Sequence, residues 1–160
     1  MVAHDFIRTG RKIIAIGRNY AEHAKELNNA VPTVPFFFLK PTSSYITDGQ
    51  SIEIPDGSEV HHELELAVII GKEGRDIKAK DADEYIAGYA LSLDMTARDI
   101  QEKAKKMGRP WSASKGYDTF TPIGSFIPKA DIADHHNVDL LLQIDGVTKQ
   151  QGNTRDMIFG

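Results

Sequence analysis

Three acidic residues lie in two apolar segments that could bring them together. Glu63 and Glu65 belong to the segment HHELELAVII, and Asp94 belongs to GYALSLDMTARD. Residues two apart on a strand share a face, so the two glutamates should project together while the aliphatic residues between them face the other way. Asp94 ends a second predicted strand, over residues 86–93, directly before a helix, where ligands commonly bind.

These carboxylates indicate a metal site. Adjacent carboxylates repel each other, and burying them without a cation is costly, so one would bind a proton. A hard divalent ion removes that conflict, and a ligand set made only of oxygens favours Mg²⁺, Mn²⁺ or Ca²⁺ over zinc. The alternative is a solvated strand face, because charged residues are rarely buried. Ala67 and Ile69 share the face with the glutamates and favour the metal site.

Two helices carry further candidates for chemistry. On a predicted short helix capped by Asn19, His23 and Glu26 lie one turn apart and could form a dyad that activates water, although an exposed ion pair has the same spacing. On the helix after Asp94, Arg98 and Gln101 could hold a substrate carboxylate and a keto oxygen. A solvated, charged helix face is the alternative for this second pair.

Lys115 lies in the segment WSASKG, which is predicted to be a loop of small residues with room for a ligand. A lysine there could neutralise an enolate or a carboxylate. A lysine on a surface loop is the simpler interpretation of the same pattern.

The elements that would position these residues are mostly strands. Further strands are predicted at residues 12–16, 36–39, 60–70 and 123–127, and a hairpin around Asp145 and Gly146. Helices are predicted at 19–29 and 96–107, with one helical turn at 81–85. This pattern predicts a β-rich α+β domain.

Composition excludes several classes of function. The 160 residues carry a net charge of −4 and no basic stripe, which argues against a nucleic-acid partner. No cysteine is present, so disulfides, thiolate catalysis and cysteine-based metal sites are excluded. No apolar run is as long as a membrane span, and no apolar signal core indicates secretion. Nucleotide-binding and serine-hydrolase motifs are also absent.

The chain resembles the fumarylacetoacetate hydrolase superfamily, in particular its small, single-domain acylpyruvate hydrolase and oxaloacetate decarboxylase branch. The resemblance rests on GRNYAEHAKEL, PFFFLKP, HHELELAVIIGKEGRDI, GYALSLDMTARDIQ and GRPWSASKGYDTFTPIG, which follow one another over most of residues 12–128. It implies a mixed β-sheet roll formed by a single catalytic domain over residues 1–160, usually assembled as a homodimer. Members continue through further strands and a glycine/threonine loop, so we expect this domain to be incomplete at its C-terminus.

The resemblance also implies roles, position by position. Three residues match the family's carboxylate ligands for Mg²⁺ or Mn²⁺, namely Glu63, Glu65 and Asp94. Two match the dyad of a lid helix, His23 and Glu26. Three match residues around the pyruvoyl end of the substrate, Arg98, Gln101 and Lys115. Similar eukaryotic proteins work in mitochondria, so a mitochondrial or a cytoplasmic location is expected.

The resulting hypothesis is an enzyme that acts on small β-keto acids with a pyruvoyl group. Acylpyruvate hydrolysis and oxaloacetate decarboxylation would both break a C–C bond and leave a pyruvate enolate held by the metal. Keto–enol tautomerisation of oxaloacetate is an alternative that uses the same enolate without bond cleavage. A truncated, inactive metal-binding homologue, or a partner subunit, is the alternative from another class.

Overall fold

The computed structural model describes residues 5–20 and 31–160 and confirms a β-rich α+β fold. Its strands are β1 (Ile13–Gly17), β2 (Phe36–Lys40), β3 (Tyr45–Ile46), β4 (Val60–His61), β5 (Leu64–Ile70), β6 (Ile86–Leu93), β7 (Thr96–Ala97), β8 (Thr121–Pro122), β9 (Ile127–Pro128), β10 (Asp139–Ile144) and β11 (Val147–Asn153). Its α-helices are α1 (Phe6–Thr9), α2 (Arg98–Lys106) and α3 (Ser112–Lys115). Short 3₁₀ turns lie at Thr42–Ser44, Ala79–Tyr85, Lys129–Asp131 and Thr154–Asp156.

The strands pair mainly in antiparallel fashion. The central sheet has the order β5-β6-β9, so β5 forms one of its edges. Separate antiparallel pairs are formed by β1 with β2, β4 with β7 and β10 with β11, whereas β3 pairs with β8 in parallel. The predicted hairpin is confirmed, and Asp145 and Gly146 both have positive φ values, 51° and 75°, as a two-residue turn of type I′ requires.

Two apolar clusters support the sheets. One contains Phe6, Ile69, Ala90 and Ile123, and it joins α1 to the central sheet. The other contains Met95, Ala97 and Phe120, and it lies beneath the segment that follows β6. The second cluster therefore packs next to Asp94, the acidic residue singled out in the sequence.

The predicted strand over residues 60–70 is wrong in one respect, because it breaks at residues 62–63. β4 pairs with β7, whereas β5 pairs with β6, so the chain changes partner across this break. At the crossing, the Asp94 N–H donates to the Glu63 carbonyl at 2.8 Å. Glu63 therefore lies in the break and Glu65 within β5.

The burial of β5 also differs from the expected alternation. Ile69 is buried in the first cluster, while Val68 and Ile70 are 46% and 57% exposed. The face that carries Glu65, Ala67 and Ile69 is therefore the inner face, and the predicted aliphatic face is partly open to solvent.

Three other boundaries differ from the sequence prediction. The helix expected from residue 96 begins at Arg98, because Thr96 and Ala97 form β7 against β4. Residues 112–115, expected as loop, form α3. Of the strand expected at 123–127, only Ile127 lies in a strand, β9, while β8 ends before it at Pro122. Within residues 5–20 and 31–160, no helix is long and apolar enough to cross a membrane.

Candidate metal centre

Glu63 lies between two cations. Its Oε2 accepts a hydrogen bond from Lys115 Nζ at 2.8 Å, and its Oε1 pairs with Arg98 Nη2. Burial opposes ionisation of this carboxyl group, but the charges of Lys115 and Arg98 outweigh it and hold the pKa of Glu63 well below its usual range. Glu63 is therefore ionised across the physiological pH range.

Asp94 follows β6, and each of its carboxylate oxygens contacts an ammonium group. Lys40 Nζ donates to Oδ1 at 2.6 Å, and Lys115 Nζ donates to Oδ2 at 2.5 Å. Both lysines are almost fully buried, with side chains 2% exposed. A buried ammonium group is tolerated only with such partners, so the lysines and the carboxylate depend on one another.

Glu65 is the third carboxylate, and its environment is different. Among the described residues, its carboxylate makes no hydrogen bond and no ion pair. Burial and the charges of Asp94 and Glu63 raise the pKa of Glu65 to about 8, although Lys115 acts in the opposite direction. Glu65 thus lies in the field of the other two carboxylates without a cation of its own in this part of the chain.

Lys115 holds Glu63 and Asp94 together. Its ammonium group is bonded to both carboxylates, and it also lies 5.1 Å from the centre of the Phe38 ring. The loop-lysine interpretation is wrong for this residue, because α3 buries it. Within the described residues, no group of three or more acidic or histidine side chains is arranged as a metal centre; the oxygens of two carboxylates converge on the lysine cation instead.

The two candidates on α2 contact each other, and Arg98 also contacts the centre. Arg98 Nη1 donates to Gln101 Oε1 at 2.6 Å, while the second terminal nitrogen pairs with Glu63. Gln101 is buried, with 2% exposure. Lys105, one turn further along, pairs with Glu102 at 2.6 Å. The first turn of α2 therefore belongs to the site, whereas Lys105 forms a surface pair.

His23 and Glu26 lie outside the described residues, so the dyad stays a prediction. Asn19, expected as the cap of their helix, bonds through its side chain to the backbone of Phe159. Its Nδ2 donates to the Phe159 carbonyl at 2.9 Å, and its Oδ1 accepts from the Phe159 N–H at 2.9 Å. The segment before the predicted lid helix is thus joined to the last residues of the chain.

Lys40 contacts Asp94 but was not predicted from the sequence. Lys40 is the last residue of the apolar run PFFFLK, where it shares the inner face of β2 with Phe36 and Phe38. A lysine on the apolar face of a strand could have indicated its burial beside a carboxylate. Burial and then the charges of Glu65 and Asp156 raise the pKa of Tyr20, just before residues 21–30, to about 12. No spacing rule relates Tyr20 to Glu65.

A family model confirms the resemblance. The model for the fumarylacetoacetate (FAA) hydrolase C-terminal family matches residues 12–160. The chain belongs to this family. The match includes every candidate site residue, and the site described above therefore lies within the family's domain.

Named relatives of the family are enzymes. The mitochondrial oxaloacetate decarboxylase of Dictyostelium discoideum is 60% identical over 156 residues, which cover 96% of this chain and 72% of the relative. A mitochondrial oxaloacetate tautomerase of Arabidopsis thaliana is 56% identical over 153 residues, covering 95% of this chain and 69% of the relative. These relatives confirm the prediction that the chain belongs to a family of enzymes.

A solved structure of the family contains a metal ion. Fumarylpyruvate hydrolase from Pseudomonas aeruginosa, in complex with Mn²⁺ and pyruvate, matches with a TM-score of 0.85 and 37% identity, covering 93% of this chain and 66% of that one. A fumarylacetoacetate hydrolase family protein from Yersinia pestis matches with a TM-score of 0.88 and 42% identity, covering 92% and 68%. The fold of this chain is therefore that of the family.

Proposed function

We propose that this chain is a divalent-metal-dependent enzyme that acts on β-keto acids with a pyruvoyl group. The convergence of Glu63 and Asp94 oxygens on a single cation, with Glu65 in the same electrostatic field, carries the proposal. The relatives named for oxaloacetate and fumarylpyruvate support this class of substrate. The expected products are pyruvate, from hydrolysis or decarboxylation, or the enol form of oxaloacetate.

The residues proposed to hold the metal are Glu63, Glu65 and Asp94. Their donor atoms are all carboxylate oxygens, which suit Mg²⁺ or Mn²⁺, and Mn²⁺ is present in the related fumarylpyruvate hydrolase. The Lys115 ammonium group takes the place of a metal cation, because it forms ion pairs with two of the three carboxylates. When bound, the ion would supply Lewis-acid stabilisation of charge and a template for the keto acid.

Arg98, Gln101 and Lys115 are proposed to bind the pyruvoyl end. The guanidinium of Arg98 can pair with a carboxylate, and Arg98 occupies Gln101 Oε1, so Gln101 offers its Nε2 as a donor. Lys115 Nζ would stabilise the negative charge that develops on an enolate oxygen. It can turn towards a substrate only when another cation neutralises Glu63 and Asp94.

His23 and Glu26 are proposed as the dyad for hydrolysis. The carboxylate of Glu26 would orient the imidazole of His23, which takes a proton from the water that attacks the distal carbonyl. Decarboxylation of oxaloacetate needs no attacking water, and tautomerisation needs only proton transfer at C3. The dyad therefore distinguishes hydrolysis from decarboxylation.

The deciding experiment measures three reactions of the purified chain with Mg²⁺, Mn²⁺ or EDTA: pyruvate release from acetylpyruvate, pyruvate release from oxaloacetate, and enol absorbance of oxaloacetate. We expect metal-dependent turnover that EDTA abolishes and that Glu63→Gln reduces by at least about 100-fold, as for loss of a metal ligand. Glu84→Gln is the matched control, because Glu84 pairs with Lys72 on the surface. Binding of Mn²⁺ without any turnover would favour the alternative of a partner subunit.

The His23→Ala variant separates hydrolysis from decarboxylation. Acetylpyruvate hydrolysis should fall by about 100-fold or more, in the range of general-base catalysis, while decarboxylation of oxaloacetate persists. Equal loss of both activities would contradict the role of His23 in activating water.

We further propose that residues 1–160 belong to a single catalytic domain, and that the protein assembles as a homodimer in mitochondria. The continuous family match supports the single domain, and the mitochondrial relatives support the compartment. The substrate is a small keto acid, and neither nucleic acid nor membrane is a proposed partner. Subcellular fractionation with a C-terminal tag tests the location, and recovery in the cytosol alone would contradict it.

A further inference from the structure

The hairpin β10–β11 contacts the edge strand that carries the proposed metal ligands. β10 lies next to β5, and Gln150 of β11 bonds through its side-chain amide to both backbone groups of Leu64. Gln150 Oε1 accepts from the Leu64 N–H at 2.7 Å, and Gln150 Nε2 donates to the Leu64 carbonyl at 3.1 Å. One amide side chain thus takes the place that a neighbouring strand would occupy.

Leu64 lies between the two glutamates of the site. The backbone of Glu63 faces β6, since its carbonyl accepts from the Asp94 N–H at 2.8 Å, and Glu65 is paired with Ser92 of β6. Backbone groups alternate in direction along an antiparallel strand, so those of Leu64 point to the open edge of β5. Without a partner at that edge, the backbone around Leu64 would be held by hydrogen bonds from β6 alone.

We propose that Gln150 is a positioning residue for the metal site. It fixes the backbone at Leu64, and thereby the separation and direction of the Glu63 and Glu65 side chains. This inference rests on the proposed function, because it concerns those two residues as metal ligands. Partners that orient metal ligands typically contribute a factor of about 10–100 to metal affinity.

The test compares Gln150→Leu with Gln151→Leu in the full chain. Gln151 is the neighbouring residue on β11 and is exposed, so its substitution controls for a change of glutamine to leucine on the same strand. Mn²⁺ binding is measured by isothermal titration calorimetry, and amide hydrogen exchange at Leu64 is measured in EDTA. The second measurement requires neither metal nor activity.

We expect Gln150→Leu to weaken Mn²⁺ binding by at least about tenfold and to accelerate exchange of the Leu64 amide, with both values unchanged in Gln151→Leu. The side chain of Gln150→Asn is one methylene shorter and cannot reach both backbone groups, so this variant should also weaken Mn²⁺ binding. It replaces Gln150→Leu in the comparison if the leucine variant does not fold. A folded Gln150 variant with the affinity of the unaltered chain overturns the positioning role and leaves the proposed function intact. Failure of the unaltered chain to bind Mn²⁺ overturns both.

Discussion

At the scale of single residues, the site is a balance of charges. Two lysines and one arginine contact two carboxylates, while the third carboxylate has a pKa raised to about 8 by burial and by its acidic neighbours. The cations therefore hold Glu63 ionised, whereas Glu65 is a group whose charge depends on pH.

Lys115→Met should separate metal binding from catalysis. Lys115 contacts both Glu63 and Asp94, so a metal ion there is repelled by its ammonium group. At a few ångströms and an effective dielectric constant of about 20, such a repulsion exceeds ~1 kcal/mol, so the variant should bind Mn²⁺ about fivefold more tightly or better. Turnover should nevertheless be lost. Calorimetry with Mn²⁺, beside Lys129→Met as a surface control, checks the affinity; weaker binding in Lys115→Met would contradict the competition.

Glu65 should make stability depend on pH when metal is removed. Its pKa is about 8 in the folded chain against an ordinary value of 4.5, so the folded state binds the proton more tightly than the unfolded state. The contribution of Glu65 is complete below pH ~4.5 and is lost as the pH rises through about 8. Denaturant unfolding in EDTA should show this decline, and Glu65→Gln should remove it. An unchanged pH profile in that variant would assign the decline to other groups.

Residue types and spacing singled out Glu63, Glu65 and Asp94, and the structure brings Glu63 and Asp94 together at one lysine, while the role of the three as metal ligands stays a prediction. They indicated less about the basic residues of the site. Glu63, Glu65 and Asp94 were found because paired carboxylates in apolar segments require an explanation. The burial of Lys115 and the role of Lys40 were not found, since a lone lysine carries no periodic signal and its partners are 21 and 54 residues away. Contacts over such separations are set by tertiary packing.

At the scale of elements, the strands were predicted more accurately than the way in which they pair. β6 was predicted at its observed bounds, and the hairpin followed from Asp145-Gly146. The break between β4 and β5 was not predicted, because the apolar pattern of HHELELAVII continues across it while the pairing partner changes from β7 to β6. That change is a property of the sheets, and local sequence does not encode it.

The centre of the three-stranded sheet should not tolerate a side chain at Gly88. A Cβ atom there would overlap the Ile127 carbonyl oxygen of β9 and lie 2.7 Å from the Phe126 ring. Gly88→Ala should therefore lower the free energy of unfolding by about 1–3 kcal/mol, as overpacking does. Gly152→Ala on β11 is the control, because no atom lies within 4 Å of its added Cβ. Equal stability of the two variants by chemical denaturation would show that β9 moves aside.

At the scale of the whole molecule, one sheet face is suited to contact a second copy. The outer face of β1 and β2 presents four apolar side chains with exposed fractions from 47% to 65%, namely Ile14, Ile16, Phe37 and Leu39. They are directly opposed in register, so they form one patch, while the inner face of the same strands carries Lys40 and Phe38. A patch of this kind commonly marks an interface.

Phe37→Asp should therefore convert the proposed homodimer to a monomer, because it places a charge in the patch. Sedimentation velocity measures the change in mass, and Met107→Asp is the control, since Met107 is equally exposed at the end of α2. A Phe37→Asp protein that sediments with the mass of the unaltered chain would exclude this face as the interface.

The contact between Gln150 and Leu64 joins residues 86 positions apart, and this separation has a consequence for the kinetics of folding. Contacts between distant segments require large loops to close, so they tend to form late on the folding pathway. Interactions formed after the transition state affect the unfolding rate more than the folding rate. Because this contact positions the proposed metal ligands, the metal site should also form late. Stopped-flow measurements should therefore show that Mn²⁺ slows unfolding of the chain and leaves its refolding rate nearly unchanged.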